Sequence, residues 1–283
     1  MQAHTSLTAL DSILALKKSD RMPVLFLGHG SPMNCLPGNE YFASWQSLGA
    51  EFGLKTSRPQ LILCVSAHWL TDGWLLTAMA QPKTIHDFGG FPQELFDQQY
   101  PAPGDSSAAR AISQLVRQRG SLPLGLDTSW GLDHGAWGVL KPMFPDADIP
   151  VIQLSLDYSR PPEDHYAMAR QLKALRNRGV LIVGSGNVVH NLQQMQRASS
   201  ANQAYDWALE FDQTIGGYIQ QGNLAALQNF LKLGSLAKMA HPTHEHFLPL
   251  LYAAGAVDMN EPVRVFNVSY QGGSIAMRSA LWG

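Results

Sequence analysis

Apolar residues along the chain fall into two recurring patterns. Short uninterrupted runs occupy Pro23-Val24-Leu25-Phe26-Leu27, Leu61 to Val65, Val151 to Leu156 and Val180 to Val183, with a weaker run from Trp74 to Met79. Runs of this length predict strands buried on both faces, as in parallel or mixed sheets. Pro262 to Tyr270 alternates apolar and polar residues, the pattern of a half-exposed strand. Between the runs lie segments of helical character. Asp105 to Arg119 follows Pro103-Gly104 and stops at Gly120, and Pro161 to Arg178 follows Ser159, a candidate N-cap, and stops at Gly179. Proline near the first turn and glycine past the last is the asymmetry expected of a helix. Ala204 to Gln220, Leu224 to Leu231 and Glu245 to Ala254 read as further helices, although Gly216-Gly217 weakens the first. Leu7 to Lys18 has apolar residues at 7, 10, 13, 14 and 16, which predicts an N-terminal helical extension within residues 1–20. Strands alternating with helices predict one α/β domain over 21–283. Its central sheet is expected to be mixed or mostly parallel, with helices on both faces. Gln81 to Gly104 is rich in Pro, Gly and aromatics and lacks a period; such long loops in compact domains are often functional.

Composition narrows the class. Of 283 residues, 45% are hydrophobic and 15% charged, against roughly 25% charged in an average domain. Disorder needs the opposite balance. Low charge suggests more interior or covered surface than usual, and a homo-oligomer is one way to cover it that composition leaves open. Twenty basic and 22 acidic residues give a net charge of −2 without a basic stripe, which argues against a nucleic-acid partner. Cys35 and Cys64 form neither C-x-x-C nor zinc-finger spacing, so neither a disulfide nor a thiolate metal centre is expected. Met1 to Asp20 lacks a basic leader region, against a signal peptide. No run approaches 18 apolar residues, against a transmembrane helix. The expectation is a soluble, cytoplasmic protein without a membrane partner.

The candidate chemistry lies in the ten histidines. Three follow apolar runs: His29 in Gly28-His29-Gly30-Ser31-Pro32, His68 in Ser66-Ala67-His68-Trp69, and His190 in Gly186-Asn187-Val188-Val189-His190-Asn191. Sites in open α/β sheets form at the carboxyl ends of the strands. Three imidazoles delivered to that edge can converge on one metal ion, for which imidazole is the commonest side-chain ligand. The alternative for each is a hydrogen-bonded loop residue, and spacing alone balances the two. His241-Pro242-Thr243-His244-Glu245-His246 adds late candidates but is not H-E-x-x-H. If a helix begins there, Glu245 and His246 point about 100° apart and at most one is a ligand. A polar helix start is the alternative. His134 in Leu132-Asp133-His134-Gly135 and His86 in Ile85-His86-Asp87-Phe88 lie in loops, where a structural role is the usual one for a polar side chain. His4 and His165 read as surface residues. Val180 to Val189 imitates a strand followed by G-x-G-x-x-G, but Val189 stands at the third glycine, which argues against dinucleotide binding.

Six motifs in order resemble a known family: Gly28 to Pro32, Ser66 to Trp69, Thr84 to Pro92, Asp133-His134-Gly135, Gly186 to Asn191, and His244-Glu245-His246 with Leu248-Pro249-Leu250-Leu251-Tyr252. Together they resemble the class III extradiol ring-cleaving dioxygenases, in particular the DOPA 4,5-dioxygenase-like branch. The resemblance runs from about residue 21 to the end. It implies one divalent metal ion per chain, bound by His29 and His68. Many members complete a 2-His-1-carboxylate site for Fe(II) with a late glutamate. The DOPA-like branch uses a histidine, which matches His246, with Glu245 the adjacent alternative. His190 matches the family's acid/base, close enough to the metal to be a ligand in some members. His134 matches a second acid/base or substrate-contacting histidine. An all-histidine set suits zinc as well as iron, so Fe(II) is implied for activity and Zn(II) as an alternative bound ion; zinc has no redox chemistry. The implied partners are a small aromatic diol and O2, with the ring opened beside the diol to a semialdehyde. His190, ordinarily near pKa 6.5, would take a proton from the catechol. His86, Phe88 and Trp69 are the substrate-binding candidates, and Phe91, Trp130 and Trp137 further candidate pocket walls. The competing readings are a zinc-dependent hydrolase that activates water on the same histidines, and a non-catalytic metal- or partner-binding protein.

Overall fold

The computed structural model describes residues 16–54, 56–118, 122–196 and 203–283. The expected N-terminal helix lies outside them, apart from Leu16 to Lys18, which are not helical.

The uninterrupted apolar runs form strands with two faces to bury. In β1 (Val24–Gly28), Val24 and Phe26 enter one core while Leu25 and Leu27 enter another. In β2 (Leu61–Ser66), Leu61, Leu63 and Val65 join the first core, and Ile62 and Cys64 the second. β3 (Val151–Gln153) and β4 (Val180–Gly186) repeat the alternation. With β5 (Val263–Phe266) and β6 (Ser279–Trp282) they build a six-stranded sheet in the order β3-β2-β4-β1-β6-β5. The first four strands of that order run parallel; β6 is antiparallel to both β1 and β5. The sheet is therefore mixed and mostly parallel, as the sequence predicts.

Helices cover both faces. α1 (Glu40–Glu51) contributes Tyr41, Trp45 and Leu48 to the core beneath Leu25 and Leu27. α2 (Ser106–Leu115) packs on the opposite face through Ala108 and Ile112. α3 (His134–Met143) joins α1 through Trp137 and Leu140. α4 (Pro162–Leu172), α5 (Asp206–Gln220) and α6 (Leu248–Gly255) share the face of α2 through Met168, Phe211 and Leu250.

Several local expectations change. The run Val151 to Leu156 splits, because Leu154 N–H donates to the Cys64 carbonyl and Ser155 N–H to that of Leu75. Leu156–Asp157 then pairs with Leu70–Thr71 in a separate ribbon. The C-terminal part of the helix expected to reach Arg178 tightens to a 3-10 segment over Lys173–Arg178, closed by Gly179 at φ 70°. Leu224–Leu233 is likewise 3-10. The last helix starts at Leu248 rather than Glu245, which leaves His244 to Phe247 in a turn. His165 is fully buried rather than on the surface. Its Nδ1 lies 2.9 Å from the Tyr252 hydroxyl, which also accepts from Trp74 Nε1. Among the described residues, no helix is long and apolar enough to cross a membrane.

Candidate active site

Gly28 of β1 pairs with Gly186 of β4, and Ser66 of β2 with Ser185. The three strands thus end level, and the residues after them enter one space. His29 follows β1 directly and donates its N–H to the Gly186 carbonyl at 3.0 Å. His68 leaves β2 with its N–H on Ser66 Oγ at 3.2 Å. His246 arrives from the far end of the chain because Gly186 has no side chain: a Cβ there would stand 2.2 Å from the His246 carbonyl oxygen. That carbonyl instead accepts from Asn187 N–H at 2.8 Å. His190 is held by its N–H on the Ala240 carbonyl, and its ring lies face to face with His246 at 3.4 Å and 6°. His241 is a strut: its buried Nε2 bonds the Val188 carbonyl at 2.7 Å.

The outer nitrogens of the converging imidazoles each meet an oxygen. His29 Nδ1 lies 3.0 Å from Ser185 Oγ, and His246 Nδ1 donates to Glu245 Oε1 at 2.9 Å. His68 Nδ1 stands 3.4 Å from Asp87 Oδ2. A carboxylate facing Nδ1 keeps the proton on that nitrogen and leaves a lone pair on Nε2. The free nitrogens gather: one donor atom from each of His29, His68 and His246 lies within 4.8 Å of the others, and the two Nε2 atoms of His29 and His68 are 3.2 Å apart. Two imidazole nitrogens tetrahedrally bound at 2.0–2.1 Å to one ion sit about 3.3 Å apart, so this donor set fits a divalent metal. Burial, followed by the mutual repulsion of the clustered rings, holds the pKa values of His29, His68 and His246 well below the ordinary range. The rings are neutral at pH 7, the state that binds a metal. Burial and the neighbouring His134 lower His190 to about 4.

His134 opens α3, whose N-cap Asp133 accepts from Ala136 N–H. Asp133 is fully buried and also accepts from Ser66 Oγ and Gln153 Nε2, both at 2.6 Å. Burial, with the charge of Asp87 nearby, raises its pKa. This network ties the ends of β2 and β3 to α3 and sets the His134 ring 4.0 Å from that of His68. Asp87 completes the arrangement. It accepts the His134 backbone N–H at 2.9 Å, and His134 Nδ1 lies 3.0 Å from the same oxygen, off the line of a hydrogen bond. Burial works against its ionisation, but contacts with His134 and His68 win and hold its carboxyl at about 2. His68, Asp87 and His134 form a second cluster of metal-binding donor types, and His190, Glu245 and His246 a third, each sharing a histidine with the first.

A cavity of about 560 Å³ opens over these groups. It is lined by His29, His68, His134, His190 and His246, with Asp87, Phe88 and Phe91 on one side and Leu192 and Met195 on another. That volume suits a small ligand. Two expected substrate contacts are not on its wall. His86 turns away: its Nε2 bonds the Gln98 carbonyl at 2.9 Å, and its ring packs on Phe88, Phe96 and Trp137. Trp69 is buried in a stack with Trp130 at 5.6 Å and 4°. His244 stacks on Tyr158. Phe88 does line the cavity.

Fold and site define an aromatic ring-opening dioxygenase. The family model described as the catalytic LigB subunit of aromatic ring-opening dioxygenase matches residues 23–277, and the chain belongs to this family, in its DOPA-dioxygenase-like branch. An Escherichia coli (strain K12) protein named 4,5-DOPA dioxygenase extradiol is 46% identical over 272 residues, covering 95% of this chain and 97% of that one. A Beta vulgaris protein of the same name is 34% identical over 258 residues, covering 90% and 94%. The crystal structure of an uncharacterized Escherichia coli K12 protein superposes with a TM-score of 0.77 at 41% identity, covering 93% of this chain and all of that one. The chain is thus a metal-dependent extradiol dioxygenase that opens the ring of a catechol-type substrate, and the hydrolase and non-catalytic readings give way.

Proposed function

We propose that the substrate is a DOPA-like catechol and that His29, His68 and His246 hold one Fe(II) ion. The observation that carries the ligand assignment is the convergence of one nitrogen from each of these three imidazoles within 4.8 Å, with the carboxylates of Asp87 and Glu245 facing Nδ1 of His68 and His246. Glu245 serves as the hydrogen-bond partner of His246, since Nδ1 already engages its Oε1. The Escherichia coli and Beta vulgaris relatives named for DOPA supply the substrate class. Bound Fe(II) supplies a redox-active centre that brings diol and O2 together; a Zn(II) ion in the same nitrogens leaves the protein without that activity.

His190 acts as base rather than ligand. Its ring lies parallel to that of His246 at 3.4 Å and 6°, so the in-plane lone pairs of the two rings run side by side rather than converging on one point. Burial keeps His190 neutral at pH 7, ready to accept a proton from a catechol hydroxyl. His134, fixed by Asp87 through its own backbone N–H, is the contact for the second hydroxyl. Phe88 and Phe91 supply an apolar wall for the ring.

The test uses isotopic oxygen. Fe(II)-loaded protein turning over L-DOPA under ¹⁸O2 should place both labelled atoms in a yellow ring-opened product. An unlabelled product, or none across a catechol panel with iron shown bound, overturns the proposal.

A further inference from the structure

Two apolar side chains on the cavity wall contribute to neither core. Leu192 and Met195 line the cavity, yet they stay 63% and 38% exposed, and both lie outside the two hydrophobic clusters. One exposed leucine is ordinary. Two large apolar side chains side by side at the rim of a ligand cavity mark a contact surface.

The backbone that presents them is fixed. Leu192–Gln194 is a single 3-10 turn capped by buried Asn191, whose side chain accepts from Gln193 and Gln194 N–H. Asn191 Nδ2 donates to the Met239 carbonyl at 2.7 Å. Its own N–H donates to the Ser274 carbonyl at 3.1 Å, and its carbonyl accepts from Ser274 Oγ at 2.8 Å. Met195 lies against Gly272, where a Cβ would stand 2.3 Å from Met195 Cγ. Gln196 N–H donates to the Gly272 carbonyl at 2.9 Å and closes the turn.

The opposite end of the cavity is set by His29 and His246, both buried. A catechol held there by its two oxygens turns the far edge of its ring, and any substituent on it, toward the exposed side. The cavity of about 560 Å³ has room beyond the ring for that substituent. We propose that Leu192 and Met195 form the specificity-determining subsite for the hydrocarbon part of the ring substituent. Charged or polar groups further along the substituent stand in water. Because the turn is already fixed, little freedom is lost on binding, and each buried methylene registers as affinity. The proposal rests on the metal and catechol assignment given above.

The test uses zinc-loaded protein, which binds catechols without opening them. Dissociation constants for catechol and for 4-methyl-, 4-ethyl- and 4-propylcatechol would be measured by titration calorimetry. In the unmodified protein affinity should rise along the series, reaching about ten-fold or more for propylcatechol over catechol. In the double variant Leu192→Ala, Met195→Ala that ratio should fall to about three-fold or less. A flat series in the unmodified protein, which needs no variant to observe, overturns the proposal. So does an unchanged ratio in the folded double variant. Binding of none of the four would overturn the metal and catechol assignment itself, and the subsite with it; tight binding with a flat series removes the subsite alone.

Discussion

Asp87 reaches two imidazoles at once, His68 at 3.4 Å and His134 at 3.0 Å, and takes the His134 backbone N–H as well. Carboxylates that orient a metal-binding histidine typically change metal affinity 10–100-fold when removed. Asp87→Asn should therefore weaken metal binding by about that factor, measured by competition with a chelator, without lowering the melting temperature of the apo-protein. Equal affinity in the variant would remove Asp87 from the site. His190→Ala should behave oppositely: metal retained, turnover reduced by about 10²-fold or more. The five histidines on the cavity wall were legible in the sequence because each stands in a motif next to a strand end or turn. Asp87 was not, although it lies in one of those motifs. Its role depends on His68 and His134, brought to it by folding, and no local spacing reveals that. His86 and Trp69, expected to contact substrate, stand outside the cavity wall for the converse reason. Closeness in sequence to a motif says nothing of direction, and both rings are spent on packing.

Among the elements, the end of β4 controls the arrival of His246. Gly186→Ala would drive a methyl group against a backbone carbonyl at 2.2 Å. It should cost about 1–3 kcal/mol of stability by denaturant unfolding and weaken metal binding, because the residue displaced is His246 itself. A variant with full metal affinity would show that the turn at His244 to Phe247 adapts freely. The paired strands were readable from uninterrupted apolar runs, since both faces are buried. Two site-forming helices were missed. α3 carries Gly135, Gly138 and Pro142, poor helix formers inside a ten-residue helix. It is stabilised by tertiary contacts such as the Asp133 network, which propensity does not register. α1 has a local signal, the Asn39 side chain accepting from Tyr41 and Phe42 N–H, but its apolar pattern is weak.

Across the whole molecule, many buried histidines share one response to acid. Burial lowers His165 to about 4 and His241 to about 3, and the clustered site histidines lie well below their ordinary range. The folded apo-protein therefore binds fewer protons than the unfolded chain between pH 6.5 and these lowered values. Its stability should fall as pH drops through that window, by up to about 1.4 kcal/mol per pH unit for each such histidine, and level off below it. Denaturant titrations of the apo-protein from pH 7.5 to 4 would reveal the slope; a flat profile would contradict the buried neutral state. The same shift moves proton competition for the metal below the ordinary histidine range, so metal affinity should hold from pH 8 to about 6.5.

The most direct test of the account is anomalous diffraction at the iron edge, from crystals loaded anaerobically with Fe(II) and a catechol. The predicted result is one iron peak per chain, about 2.1 Å from nitrogens of His29, His68 and His246, with both catechol oxygens on its open side and His190 beside one of them. Iron bound away from that triad, or no space for the diol next to it, would contradict the account.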